Sequence, residues 1–180
     1  ANQSPLALRV ILVATVNGTP DVLSDGVITR QEITPGPSPG MSTLSVTGED
    51  LTTVMDRQEF NGIPYPAMPA EARVALIIAK YAVYGMIPFV VPAVFQDIPI
   101  PTERIPSHDG TDLAYVNRLA ADVGHTFYIT PGPLPGTNTA YWGPEVKVGV
   151  PQPALNIDMD AHTNVESLNF TINHADKAMP

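Results

Sequence analysis

The sequence lacks cysteine altogether, which excludes disulfides, thiolate metal sites and cysteine nucleophiles but leaves the cellular compartment open. Charged residues are also scarce, at 15% of the 180 residues, whereas hydrophobic residues make up 44%. A soluble monomer normally carries more charge on its surface. We therefore expect part of this surface to face a partner.

Basic residues are few, since 9 Lys and Arg stand against 18 Asp and Glu, a formal net charge of −9. No basic stripe able to neutralise phosphates is present, so we expect no nucleic-acid binding site. The most apolar stretch, residues 72–95, is interrupted by two charged residues, a glycine and two prolines. An uninterrupted membrane span needs about 20 apolar residues, and we therefore expect no membrane segment.

The chain opens at Ala1 without a basic region ahead of its first apolar run. This start predicts no targeting peptide and suggests an internal piece of a longer chain. No sequence pattern indicates a cofactor.

The first 50 residues predict three β-strands. Residues 6–16 are rich in β-branched side chains and end at an Asn-Gly pair, a strong hairpin signal, so residues 26–33 are expected to pair with them. Residues 34–40 hold three prolines and two glycines and predict an irregular loop. Alternation of apolar and polar residues predicts a third strand over residues 41–47.

Helical patterns occupy the middle of the chain. A short helix is predicted near residues 51–55, and a longer one over residues 70–84, whose apolar side chains share one face. Thr111 is expected to cap a third helix over residues 112–123. The order of β-rich, helical and again β-rich segments predicts an α+β fold.

The segment between residues 88 and 106 contains five prolines. They allow at most one short edge strand, over residues 94–98. Period-two patterns return towards the end of the chain. Four further strands are expected, over residues 126–130, 139–142, 154–160 and 165–173.

One candidate metal site lies in the third of these four strands. Asp158, Asp160 and His162 alternate along the sequence, so they could share one face and approach a divalent ion. Three ligands on one strand lie about 7 Å apart and rarely converge unaided. A solvated polar face therefore explains them better than a metal site.

A second acidic pattern, His108, Asp109 and Asp112, precedes the third helix and could hold a metal or a general base. Asp112 already has an ordinary role in the first helical turn, where the helix dipole favours negative charge. No nucleophile-elbow, phosphate-loop, dinucleotide-binding or H-E-x-x-H motif occurs. We expect no enzyme; a cell-wall hydrolase is the alternative if these acids, or the Asp158 group, line a cleft.

Aromatic residues cluster in two predicted strands as Phe127, Tyr128, Tyr141 and Trp142. Exposed rings of this kind could form the platform of a carbohydrate- or peptidoglycan-binding module. Aromatic residues on paired strands are more often part of a core or an interface. Burial of these rings would argue against the binding module.

Three segments together resemble one known family. Residues 45–59 (SVTGEDLTTVMDRQE) are similar to the strand-to-helix signature near the end of the first barrel of phage late control protein D and related tail hub proteins. Residues 70–85 resemble the helix that follows in that family. Residues 110–128 (GTDLAYVNRLAADVGHTFY) are similar to its D-x-x-F-x-x-R-L-A-x-x-x-G-x-x-F-Y segment. The matching positions are Asp112, Tyr115 in place of the phenylalanine, Arg118, Leu119, Ala120, Gly124, Phe127 and Tyr128.

The resemblance, which covers residues 43–130 best, implies two β-barrel-like segments flanking a smaller mixed α/β segment, as part of a longer hub chain. Residues 1–60 would then belong to the first barrel, 61–145 to the mixed insert and 146–180 to the second barrel. The resemblance matches nothing over residues 86–106.

The same resemblance implies a homotrimer in the full-length protein, with a tail tube protein and a spike protein as partners. Two similar barrels in each chain let a threefold ring match a sixfold tube. The implied function is a structural baseplate hub of a contractile phage tail or a related injection system. Such a protein assembles in the bacterial cytoplasm and resides in the tail baseplate of the virion or particle.

Overall fold

The computed structural model describes residues 8–38, 40–94, 98–145, 154–157, 161, 163–165 and 167. The chain divides into two compact units, Ala1–Glu145 and Val146–Pro180. Every helix and strand found in the described residues belongs to the first unit.

Three antiparallel strands form the first sheet, in the order β1-β2-β3: β1 (Arg9–Val16), β2 (Thr19–Thr34) and β3 (Thr43–Asp50). Asn17 and Gly18 have φ angles of 51° and 82°, the left-handed pair that a two-residue hairpin requires. The predicted hairpin is therefore confirmed. Strand β2 begins earlier than predicted, because the tight turn lets Val16 pair with Thr19 at once.

The helices are α1 (Thr52–Met55), α2 (Ala70–Ala79), a short 3-10 helix (Ala82–Tyr84) and α3 (Asp112–Asp122). The predicted helix over residues 70–84 is thus divided in two. Thr111 caps α3 as expected, since its hydroxyl oxygen accepts a hydrogen bond from the Ala114 amide at 3.1 Å.

The second sheet has the order β4-β6-β5 and consists of β4 (Met86–Val90), β5 (His125–Pro131) and β6 (Asn138–Pro144). Strand β4 runs parallel to β6, and β5 runs antiparallel to it. Strands β5 and β6 confirm the predictions there, but β4 was not predicted. Pro88 lies within β4, which is tolerated because β4 is an edge strand. The strand predicted over residues 94–98 is wrong for Val94 and Ile98, which are irregular, while residues 95–97 lie outside the described part.

The core forms where α2 and α3 meet the inner face of the second sheet. Trp142 of β6 is fully buried there. Val27 of β2 belongs to the same cluster, so the first sheet also contributes to this core. The predicted apolar faces of α2 and α3 are confirmed by the burial of Val74, Ile77, Ile78, Val116, Leu119 and Ala120.

The α+β class is confirmed, but the described residues contain no closed barrel. The first sheet is open, with β1 and β3 as edge strands. In the second unit, residues 154–157 are irregular rather than a strand, and the Asn164 side-chain Nδ2 donates to the Ala154 carbonyl at 2.9 Å. The second barrel and the three predicted domains stay predictions. None of the described helices is long and apolar enough to cross a membrane.

Candidate functional site

Asp112, in the first turn of α3, has a fully buried carboxylate. The Lys80 ammonium lies 2.7 Å from Oδ1 and 2.6 Å from Oδ2. The Tyr81 hydroxyl donates to Oδ2 at 2.7 Å. Both carboxylate oxygens are therefore engaged, and the buried charge is compensated by a cation from the end of α2.

His108 is buried beside this carboxylate without forming a good hydrogen bond to it, since its Nε2 lies 3.4 Å from Oδ1 of Asp112. Its Nδ1 lies 3.1 Å from the Tyr65 hydroxyl oxygen, and its ring stacks on Tyr115 with centroids 4.3 Å apart. Burial lowers the pKa of His108, and the nearby Lys80 charge lowers it further, although Asp112 acts in the opposite direction. The imidazole is therefore neutral near pH 7 and serves as a packed aromatic ring.

Burial also shifts the pKa of Tyr81, again towards the neutral form of the side chain. Burial is the main reason that its pKa is raised, and the hydrogen bond to Asp112 raises it further. A tyrosine that donates to a buried carboxylate holds its proton more tightly. Tyr81 is thus a fixed hydrogen-bond donor rather than a proton carrier.

Of the sequence pattern His108, Asp109 and Asp112, the structure brings His108 and Asp112 together but places Asp109 apart from them. The Asp109 side chain is 73% exposed and lies 3.2 Å from the Arg118 guanidinium, whereas Asp112 is buried. Neither acid is among the residues that line the two described cavities of the first unit, of about 440 and 330 Å³. Sequence reasoning also missed Lys80 and Tyr81, because helix periodicity places residues on a face without showing which later helix they meet.

The candidate metal ligands Asp158, Asp160 and His162 lie outside the described residues. Within the part of the chain that the structure does describe, no three His, Asp or Glu side chains come close enough to hold a metal ion. The predicted strand site therefore stays a prediction.

The aromatic cluster divides between the two faces of the second sheet. Trp142 is fully buried and packs edge-on against His125, with ring centroids 4.5 Å apart. Phe127 is partly buried against the same core. Tyr128 and Tyr141 lie on the opposite face, so only half of the predicted cluster is available at the surface.

Tyr141 is the middle of a row of three rings on that outer face. It lies opposite Phe89 on β4 and Tyr128 on β5, with ring centroids 5.8 Å and 4.8 Å away and nearly parallel planes. Rings so close and parallel are offset-stacked against each other. Both faces of the middle ring are thus covered, which leaves a sugar only the outer rings. Phe89 was missed because β4 was not predicted.

The first sheet exposes many apolar side chains. All eight residues of β3 are exposed, and Leu44 pairs with Ile33 of β2, with exposures of 59% and 71%. A groove of about 330 Å³ crosses one face of the sheet. Because β3 is an edge strand, its main chain can also pair with another strand. Other exposed apolar residues of this sheet are Leu12, Val13, Leu23 and Val46.

A comparison with known protein families finds no family model that matches the chain. A search of curated proteins finds no match either. Three chains of solved structure match. One is the crystal structure of the tail protein from Neisseria meningitidis MC58, with 16% sequence identity and a TM-score of 0.45, covering 73% of this chain and 40% of that chain.

Proposed function

We propose that the chain is a structural, non-enzymatic part of the baseplate hub of a contractile phage tail or a phage-tail-like injection system, where it helps join the tail tube to the spike. The observation that carries the proposal is the open first sheet, with its exposed apolar residues and its edge strand β3. The resemblance of residues 45–59 and 110–128 to tail hub proteins supports it. The homotrimer and the tube and spike contacts belong to the same proposal.

Assembly at the first sheet has two sources of free energy. Burial of an exposed leucine or isoleucine stabilises a complex by about 1.5–3 kcal/mol, so the Ile33 and Leu44 pair alone is a substantial contribution. An added strand also satisfies the unpaired amide and carbonyl groups along β3. Such contacts are mechanical and need no reactive group.

The buried polar residues support a role without catalysis. The Asp112 carboxylate is held by Lys80 and Tyr81, and the pKa of His108 is lowered by burial. A general acid or base has to reach a substrate. Neither Asp112 nor His108 lines one of the cavities described in the first unit.

The test replaces Ile33 and Leu44 by lysine in the full-length protein as it assembles in the particle. Two like charges directly opposite each other should cost the isolated fold less than about 1 kcal/mol, but they strongly oppose burial at an interface. We expect hub assembly, measured by mass photometry and electron microscopy of particles, to fall strongly in the double variant. Val83→Lys is the matched control, because Val83 is 73% exposed outside the sheet. Normal baseplates in the Ile33/Leu44 variant would contradict the proposal.

A carbohydrate- or peptidoglycan-binding module is the second candidate, and the exposed row of Phe89, Tyr141 and Tyr128 is the observation that favours it. A pull-down with purified peptidoglycan distinguishes the two functions. The hub proposal predicts no retention of the protein. Retention that disappears in Tyr128→Ala would move the binding module to first place.

A further inference from the structure

A pocket of about 440 Å³ lies between α2, α3 and the segment around residues 104–107. Three arginines line it, Arg73, Arg104 and Arg118, out of six in the whole chain. The net charge of the chain is −9, so this local grouping of cations contrasts with the acidic protein around it. Clusters of arginine in a concave site are typical of oxyanion recognition.

Arg73 is the buried member of the group, at 8% exposure. Its Nη1 donates to the Tyr115 hydroxyl at 2.7 Å. Its Nε is buried and has no hydrogen-bond partner in the part of the chain that the structure describes. A buried donor on a cation without an acceptor is costly. The guanidinium is therefore held in place at Nη1 and lacks an acceptor at Nε.

Arg9 shows in the same protein what the Nε-bearing edge of a guanidinium can hold. Its Nε donates to Oδ1 of Asp25 at 2.7 Å, while its Nη2 donates to Oδ2. The edge of a guanidinium that carries Nε and Nη2 matches the two oxygens of one carboxylate. In Arg73 the Nη1 atom is committed to Tyr115, so Nε and Nη2 form the corresponding edge.

Two acidic residues, Glu71 and Asp122, also line the pocket and restrict the charge of a ligand. Glu71 accepts a hydrogen bond from the Ala93 amide at 3.0 Å, which holds its carboxylate there. Arg118 pairs with the exposed Asp109 and lies over the Tyr115 ring, with its Cζ atom 5.1 Å from the ring centre. Such contacts of an exposed side chain contribute little. Arg118 can therefore turn to a ligand, and a single negative charge fits the pocket better than a dianion.

We propose that this pocket binds one carboxylate group, with Arg73 as the bidentate donor and Arg118 as a second cation at the rim. The carboxylate belongs to a free organic acid or to a polypeptide. The site is independent of the hub proposal, since none of its residues lies on the first sheet.

The test uses the side-chain Nε–H signals of arginine in the NMR spectrum of the protein. We titrate with propionate, with a blocked Gly-Glu-Gly tripeptide and with inorganic phosphate. The Arg73 signal is expected to shift and to saturate with a carboxylate probe. Arg118→Gln should weaken binding about threefold to tenfold through loss of one charged contact. Arg30→Gln is the matched control, since Arg30 is exposed on β2 and pairs with Glu32, and it should leave the affinity unchanged.

Tighter binding of the tripeptide identifies a polypeptide carboxylate, and tighter binding of propionate identifies a free acid. Arg73→Lys, which keeps the charge but removes the fork, also removes the Arg73 signal, so binding to this variant is followed through the Arg118 Nε–H signal. The saturable shift that the Arg118 signal shows in the wild type should be abolished. The proposal is overturned if the Arg73 signal shows no saturable shift up to about 0.1 M probe. It is also overturned if Arg118→Gln binds with the wild-type affinity, or if phosphate binds at least as tightly as the carboxylates.

Discussion

At the scale of single residues, the buried carboxylate of Asp112 is compensated by a lysine that reaches in from the surface. The Lys80 side chain is 40% exposed, and its ammonium also lies 4.4 Å from the centre of the Phe60 ring. A lysine can place its apolar stem along the protein while its charged end meets a partner. This contact ties the end of α2 to the start of α3.

Replacing Asp112 by asparagine should destabilise the fold by about 2–3 kcal/mol, because the Lys80 charge loses its partner and one hydrogen bond is weakened. Partial exposure of Lys80 keeps the loss below that of a fully buried pair. Urea denaturation measures the change. Asp109→Asn is the matched control and should change stability by less than about 0.5 kcal/mol. Equal effects in the two variants would contradict a structural role of Asp112.

Stability should depend on pH through His108. Its pKa in the folded protein is lowered from 6.5, mainly by burial and further by the charges of Lys80 and Arg118, against the opposing charge of Asp112. The unfolded chain therefore binds the proton more readily, and acid favours unfolding. The stability that the folded protein gains from keeping His108 neutral is fully present above about pH 6.5. It is lost as the pH falls through the lowered pKa of His108.

Urea unfolding of the wild type and of His108→Gln, at several pH values on both sides of 6.5, tests this prediction. The wild type should lose stability on acidification in a range where the variant does not. The same slope in both proteins would show that other groups cause the effect.

At the scale of elements, the junction between α2 and β4 depends on close backbone contact. Gly85 has a φ angle of 72° and ends the short 3-10 helix. A Cβ atom on Gly85 would overlap the carbonyl oxygen of Gly136. The loop before β6 thus packs directly on the chain that enters β4.

Alanine at position 85 should therefore cost at least about 3 kcal/mol of stability, since it adds a backbone clash to the strain of a left-handed residue. Gly124 is a matched control. It ends α3 with a φ angle of 68° and has nothing within 4 Å of the added Cβ position. Gly124→Ala should cost about 1 kcal/mol, from strain alone. Thermal unfolding measures both, and similar losses would show that the Gly136 contact is unimportant.

At the scale of the whole first unit, one polar network joins its two sheets. Asp25 of β2 accepts hydrogen bonds from Arg9 of β1 and, at 3.0 Å, from the side-chain amide of Asn138 in β6. The same amide also donates to the Tyr84 carbonyl at 3.1 Å. The Asp25 side chain is completely buried. The two sheets should therefore unfold together.

Asp25→Ala should lower stability by about 3 kcal/mol, because it leaves the partly buried Arg9 without its carboxylate and the buried Asn138 amide without one of its two acceptors. Native-state hydrogen exchange should then show the amides of the first sheet exchanging well before those of the second. Asp21→Ala is the control, as Asp21 is exposed on the same strand, and it should leave exchange unchanged. Uniform exchange in the Asp25 variant would mean that the apolar core alone couples the sheets.

Local patterns determined much of this protein. The Asn17-Gly18 turn specifies its hairpin because both residues tolerate left-handed φ angles. Thr111 and the spacing of apolar residues in α3 specify that helix, since capping and periodicity act within one element. The exclusion of cysteine chemistry also needs no structure.

Tertiary structure alone decided what depends on distant segments. Strand β4 forms despite Pro88 because β6, about 50 residues later, offers it an edge position. The partners of Asp112 come from the two residues that follow α2. The Arg73 guanidinium is held by Tyr115 of α3, and the aromatic row needs three strands in register. The periodicity of one helix or strand cannot predict these contacts, because they form between elements that are distant in the sequence.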